Sequence, residues 1–123
     1  MQTTSLPHDH GQPMEQELQN MPSVENFQTL SDIFKHLGDG SRLRIFWLLC
    51  HCEECVVNLS AMVGMSSPAV SHHLKLLRAA GLIVNRRAGK EVYYTAANTQ
   101  QAQLLHHMIE DLVVIACPSK QNL

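Results

Sequence analysis

Three of the four cysteines and one histidine fall within six residues, Cys50, His51, Cys52 and Cys55 of "CHCEEC". Soft thiolates match Zn(II), Cd(II), Cu(I) and As(III), whose trigonal or tetrahedral shells need three or four donors at about 2.3 Å. With Cys117, which precedes a proline near the end of the chain, they make a candidate ligand set of Cys50, Cys52, Cys55 and Cys117. Packing competes at Cys50, which closes the apolar run "IFWLLC", because unpaired cysteine is among the most buried residue types. It explains Cys52, between His51 and Glu53, less well. His8 and His10, and the run containing His106, His107, Glu110 and Asp111, offer further donors, although helical residues so spaced more often form a solvated, charge-paired face. No second Cys/His knuckle follows at a zinc-finger distance.

A second constellation is electrostatic. The net charge of -2 argues against a nucleic-acid partner, since phosphate binding needs clustered cations. The distribution reverses that reading: six of eleven carboxylates lie in the first 39 residues, and Asn58 to Lys90 holds none. That acid-free stretch carries Lys75, Arg78, Arg86, Arg87 and Lys90.

The elements that position these residues follow from periodicity and punctuation. Residues 1–22 contain Pro7, Pro13 and Pro22 with few apolar side chains, which predicts a flexible arm. Ser23 can cap a helix with apolar positions Val24, Phe27, Leu30, Phe34 and Leu37. A turn at Asp39–Gly40–Ser41 then leads into a helix, Leu43 to Leu49, that is apolar almost all round and belongs in the core. Two short helices follow, broken at "GMSS", with Gly64 as stop, Ser66 or Ser67 as cap and Pro68 in the first turn. The second buries Val70, Leu74 and Leu77 and leaves Ser67, Ser71, His72, Lys75 and Arg78 on its other sides. "LIVNRR" and "EVYYTA" around "AGK" predict a β-hairpin, and a last helix with Leu104, Met108, Leu112 and Ile115 on one side ends before Pro118. The expected fold is mostly α with one β-hairpin: an arm at 1–22, a domain of about five helices and a two-stranded wing at 23–117, and a tail at 118–123.

A helix of short polar and basic side chains after a tight turn suits the major groove of B-DNA. Ser67, Ser71 and His72 are short enough to reach base edges, while Lys75, Arg78, Arg86, Arg87 and Lys90 suit phosphates. His73 is expected to divide with His72 the tasks of DNA contact and packing.

The stretch "SSPAVSHHLKLLRAAGLIVNRRAGKEVYYT" resembles the recognition helix and wing of the ArsR/SmtB metalloregulators, and the resemblance extends over about residues 25 to 116. It implies a winged helix-turn-helix fold and a homodimeric transcriptional repressor that leaves operator DNA on binding metal. The family places a pattern Glu-x-Cys-x-(Cys or Gly)-Asp-Leu before the recognition helix, and "EECVVNL" lies over it: Cys55 matches the first cysteine, while Val57 and Asn58 stand where the second ligand and the aspartate would be. The family's other site, of carboxylates and imidazoles on the last helix, falls on Asn98, Gln100, Asp111 and Val114 and looks lost. A thiolate site assembled from the rearranged cysteines is therefore the expectation. The rival is a repressor sensing oxidants or reactive sulfur, in which Cys117 links to one thiol of the cluster.

No Gly-rich phosphate loop, paired-carboxylate pattern or nucleophile with an orienting base is present, which argues against an enzyme. Neither a signal-peptide pattern nor an apolar run of about 20 residues occurs, so a cytoplasmic protein without membrane partners is expected. There cysteines persist as thiols.

Overall fold

The computed structural model of the chain describes residues 6–118; residues 1–5 of the expected arm and 119–123 of the expected tail lie outside them. Backbone contacts divide the chain into two units between Asp32 and Ile33.

In the first unit, the stretch read as an arm holds a short helix, α1 (Glu15–Asn20). Glu15 and Glu17 in its first turn complement the helix dipole, and it stops where Met21 turns extended ahead of Pro22. None of α1 is buried, which is why apolar periodicity gave no sign of it. The next helix, α2 (Val24–His36), within which the division falls, begins where Ser23 Oγ accepts the Asn26 N–H at 3.1 Å, as the Ser23 cap predicts. Its stripe of Val24, Phe27, Leu30 and Phe34 is exposed.

The second unit carries the core. Helix α3 (Gly40–Leu49) starts at Asp39, whose carboxylate accepts the Arg42 N–H at 2.9 Å. Ile45, Phe46 and Leu49 are buried, but Trp47, expected in the core, is 37% exposed. Helix α4 (Val56–Val63) ends at Gly64, whose φ of 68° is a left-handed conformation that glycine adopts without strain. Two residues later Ser66 settles the choice of cap: its side chain accepts from Ala69 N and opens α5 (Ser67–Ala79), with Pro68 in the first turn. Strands β1 (Ile83–Ala88) and β2 (Glu91–Ala96) pair antiparallel from Ile83↔Ala96 to Ala88↔Glu91, turning at Gly89 and Lys90. Helix α6 (Gln100–Ala116) is capped by Thr99. The core joins Ile45, Phe46 and Leu49 of α3 to Leu59, Val70, Leu74, Leu77, Leu82 and Ile83. Six helices and a hairpin are thus described, α1 being the one beyond the expected five.

One pairing had no sequence signature. Glu54, inside the cysteine cluster, forms an isolated antiparallel bridge with Tyr94 through backbone bonds of 2.9 and 2.8 Å. Thr95 Oγ1 donates to the carbonyls of Leu49 and Cys52, so the loop is bound to β2 along its length.

Candidate functional site

The turn between α4 and α5 fixes which side of α5 meets solvent. Val70, His73, Leu74 and Leu77 point inward, leaving Ser71, His72, Lys75 and Arg78 exposed. Ser71, Lys75 and Arg78 line a groove that Tyr94 of β2 closes. Ser67 is also exposed, but its hydroxyl lies 3.1 Å from that of Ser60 and ties α5 to α4.

The two adjacent histidines have separate environments. His72 is exposed; His73 is buried, receiving a hydrogen bond from Arg42 Nε on Nδ1 at 3.3 Å, while its Nε2 lies 3.9 Å from Asp39. An Nδ1 that accepts carries no proton, so the ring is neutral. Burial, with the neighbouring Arg42, holds the His73 pKa below its ordinary value despite the opposing pull of Asp39.

Of the wing cations, Arg86 is already paired. Its guanidinium grips both carboxylate oxygens of Glu53 at 2.6 and 2.8 Å, and lies over the Tyr93 ring at 5.0 Å. This contact keeps the Glu53 carboxyl below its ordinary range. Arg87 and Lys90 are exposed and, among the described residues, form no ion pair with a carboxylate.

The cysteines are placed as follows. Cys50 is the half-buried C-cap of α3, its thiol pushed up to about 11 by burial and by the Glu110 carboxylate. Cys52 donates to the Leu48 carbonyl at 3.2 Å, and burial followed by Glu54 raises its pKa too. Cys55 is the N-cap residue of α4, without a side-chain capping bond, and Cys117 is exposed at the end of α6. All four are free thiols. Among the described residues none of the four belongs to a group of three metal-ligating side chains whose donor atoms converge.

What the fold does bring together is His51, His106 and Glu110. His106 and Glu110 sit one turn apart on α6, the spacing that marked them as a possible pair; His51 follows α3, 55 residues away in sequence. Periodicity carries no information about an approach over that distance. The Trp47 indole N–H donates to Glu110 Oε1 at 3.0 Å, and its ring packs on His51 at 4.3 Å.

No helix among the described residues is long and apolar enough to cross a membrane. Residues 39–84, from the cap of α3 into β1, match the family model described as "Bacterial regulatory protein, arsR family". The transcriptional repressor SmtB homolog of Synechocystis sp. is 37% identical over 90 residues, which cover 73% of this chain and 68% of that one. The arsenic resistance transcriptional regulator ArsR2 of Pseudomonas putida is 36% identical over 83 residues, 67% of this chain and 71% of its own. Among solved structures, the homodimeric winged helix-turn-helix DNA-binding domain Mb0332 of Mycobacterium bovis superposes with a TM-score of 0.68 at 25% identity, covering 80% of this chain and 93% of that one. Turn chemistry, basic helix, wing and kinship converge: the chain belongs to the ArsR family of bacterial regulatory proteins, a winged helix-turn-helix transcriptional regulator and not an enzyme.

Proposed function

We propose that the protein is a homodimeric, cytoplasmic repressor that binds double-stranded operator DNA through α5 and the wing and releases it when a metal ion is held by cysteine thiolates. The observation that carries the DNA half is the exposed face of Ser71, His72, Lys75 and Arg78 on a helix otherwise locked into the core. Serine and histidine there suit base edges, and Lys75, Arg78, Arg87 and Lys90 suit phosphates. Ser67 and Arg86 belong to the same surface, although each has a partner within the chain.

The metal half is supported by the arsenic-resistance name of one relative and by the donor chemistry of Cys50, Cys52, Cys55 and Cys117. Candidate effectors are Zn(II), Cd(II), Cu(I) and As(III). Effector and operator are then linked through one coupling free energy, so a ligand that weakens DNA binding is itself bound more weakly on DNA.

Anisotropy of labelled operator DNA, followed across salt and metal titrations, tests both halves. Arg87→Ala or Lys90→Ala, each removing one phosphate contact per subunit of the dimer, should flatten the log K against log salt slope by about 1.8. Arg86→Ala should flatten it less, because Glu53 already neutralises that charge. Cys55→Ser should keep operator affinity and lose the metal response. Unchanged slopes in all three variants would refute the DNA surface, and DNA release by metal in Cys55→Ser would refute the thiolate site.

A further inference from the structure

We propose that His51, His106 and Glu110 form a binding site for a divalent transition metal of the zinc, cobalt and nickel class, joining the end of α3 to α6 through nitrogen and oxygen donors. The site uses none of the thiolates and stands on geometry alone, whether or not metal releases DNA.

The three donor atoms form a nearly equilateral triangle. His51 Nε2 lies 3.2 Å from Glu110 Oε1, His106 Nε2 lies 3.1 Å from the same oxygen, and the two ring nitrogens are 3.2 Å apart. A tetrahedral ion with bonds of about 2.05 Å to nitrogen and oxygen requires ligand atoms about 3.3 Å from one another, so the triangle is close to one face of that tetrahedron.

Hydrogen bonds alone serve the triangle poorly. Each Nε2 carries at most one proton and the carboxylate carries none, so the three edges have at most two protons among them. The edge left over is a close contact between polar atoms with nothing bridging it. A cation at the centre engages all three atoms at once and takes the lone pairs of neutral imidazole and carboxylate.

The surroundings hold the donors in place. Glu110 Oε1 also accepts the Trp47 N–H, which fixes the carboxylate as outer-shell partners of metal ligands do. The His51 ring rests on Trp47 and meets His106 edge-on at 4.9 Å, while the His106 and Glu110 spacing of one helical turn is set by α6 itself. His51 and Glu110 retain 44% and 45% of their side-chain exposure, so the fourth position faces water and the ion can exchange. Two imidazoles and a carboxylate select borderline ions over Cu(I) or As(III), which prefer sulfur.

Trp47, the single tryptophan, makes the site observable. Cobalt(II) titrated into the full-length reduced protein should bind one ion per chain, give the weak visible bands of a tetrahedral nitrogen and oxygen site, and quench Trp47 emission. A variant with all four cysteines replaced by serine should do the same. His51→Ala, His106→Ala and Glu110→Gln should each weaken cobalt binding by more than the about 10- to 100-fold that outer-shell partners are worth. Undiminished affinity in those variants would overturn the site. So would intense thiolate-to-cobalt charge transfer in the wild-type chain with Trp47 emission unchanged, a result that holds even if the serine variant does not fold.

Discussion

His73 shows how a single side chain can be assigned to the core although its neighbour faces the solvent. It accepts from Arg42, which also donates to the His36 carbonyl at 3.1 Å, so one guanidinium ties the end of α2 to α5. Because burial keeps the folded imidazole neutral below its ordinary 6.5, the unfolded chain takes up a proton first as the pH falls. The stability that His73 contributes is complete above pH 6.5 and is lost from there down toward the depressed folded value. Urea midpoints of the wild type should therefore fall on acidification through this range, and those of His73→Gln should fall less. Equal slopes would show that other groups carry the acid sensitivity.

At the scale of elements, the parts most legible in the sequence are those with local causes. Asp39 and Ser66 each cap the helix they precede, and Gly64 sits where a left-handed residue is required. A methyl group added at Gly64 would meet nothing within 4 Å, so Gly64→Ala should cost only the conformational penalty of roughly 1–2 kcal/mol. Ser66→Ala should cost about 1 kcal/mol by freeing the Ala69 N–H. Thermal melts of the two variants measure these costs, and a much larger loss at Gly64 would mean that the turn had repacked. What the sequence concealed was non-local: the Glu54 bridge, the Arg86 clamp on Glu53 and the meeting of His51 with α6 join residues 33 to 59 positions apart. Spacing along one helix cannot report such encounters, which is why His106 and Glu110 could be named as possible donors while the approach of His51 to them could not.

Across the whole molecule, the last turns of α6 expose Leu112, Val113, Val114 and Ile115. Large apolar side chains gathered this way are the mark of an interface, and the superposing Mb0332 domain is a homodimer. In a two-fold dimer each substitution on such a face acts twice. If the proposed dimer uses this face, Ile115→Glu should shift its sedimentation toward that of a monomer and weaken operator binding, since the paired recognition helices of such a dimer span successive grooves. A dimer that survives the change would place the interface elsewhere.

The bridge from Glu54 to Tyr94 also bears on how the protein keeps to itself. With β1 on one side, β2 would offer its other edge as an open row of backbone donors and acceptors, the surface on which stray strands add and aggregates begin. Glu54 occupies that edge at Tyr94, and the Thr95 hydroxyl fastens the loop beside it. A single residue pair is too short to recruit a further strand, so the wing's root is sealed by a segment that cannot itself propagate a sheet.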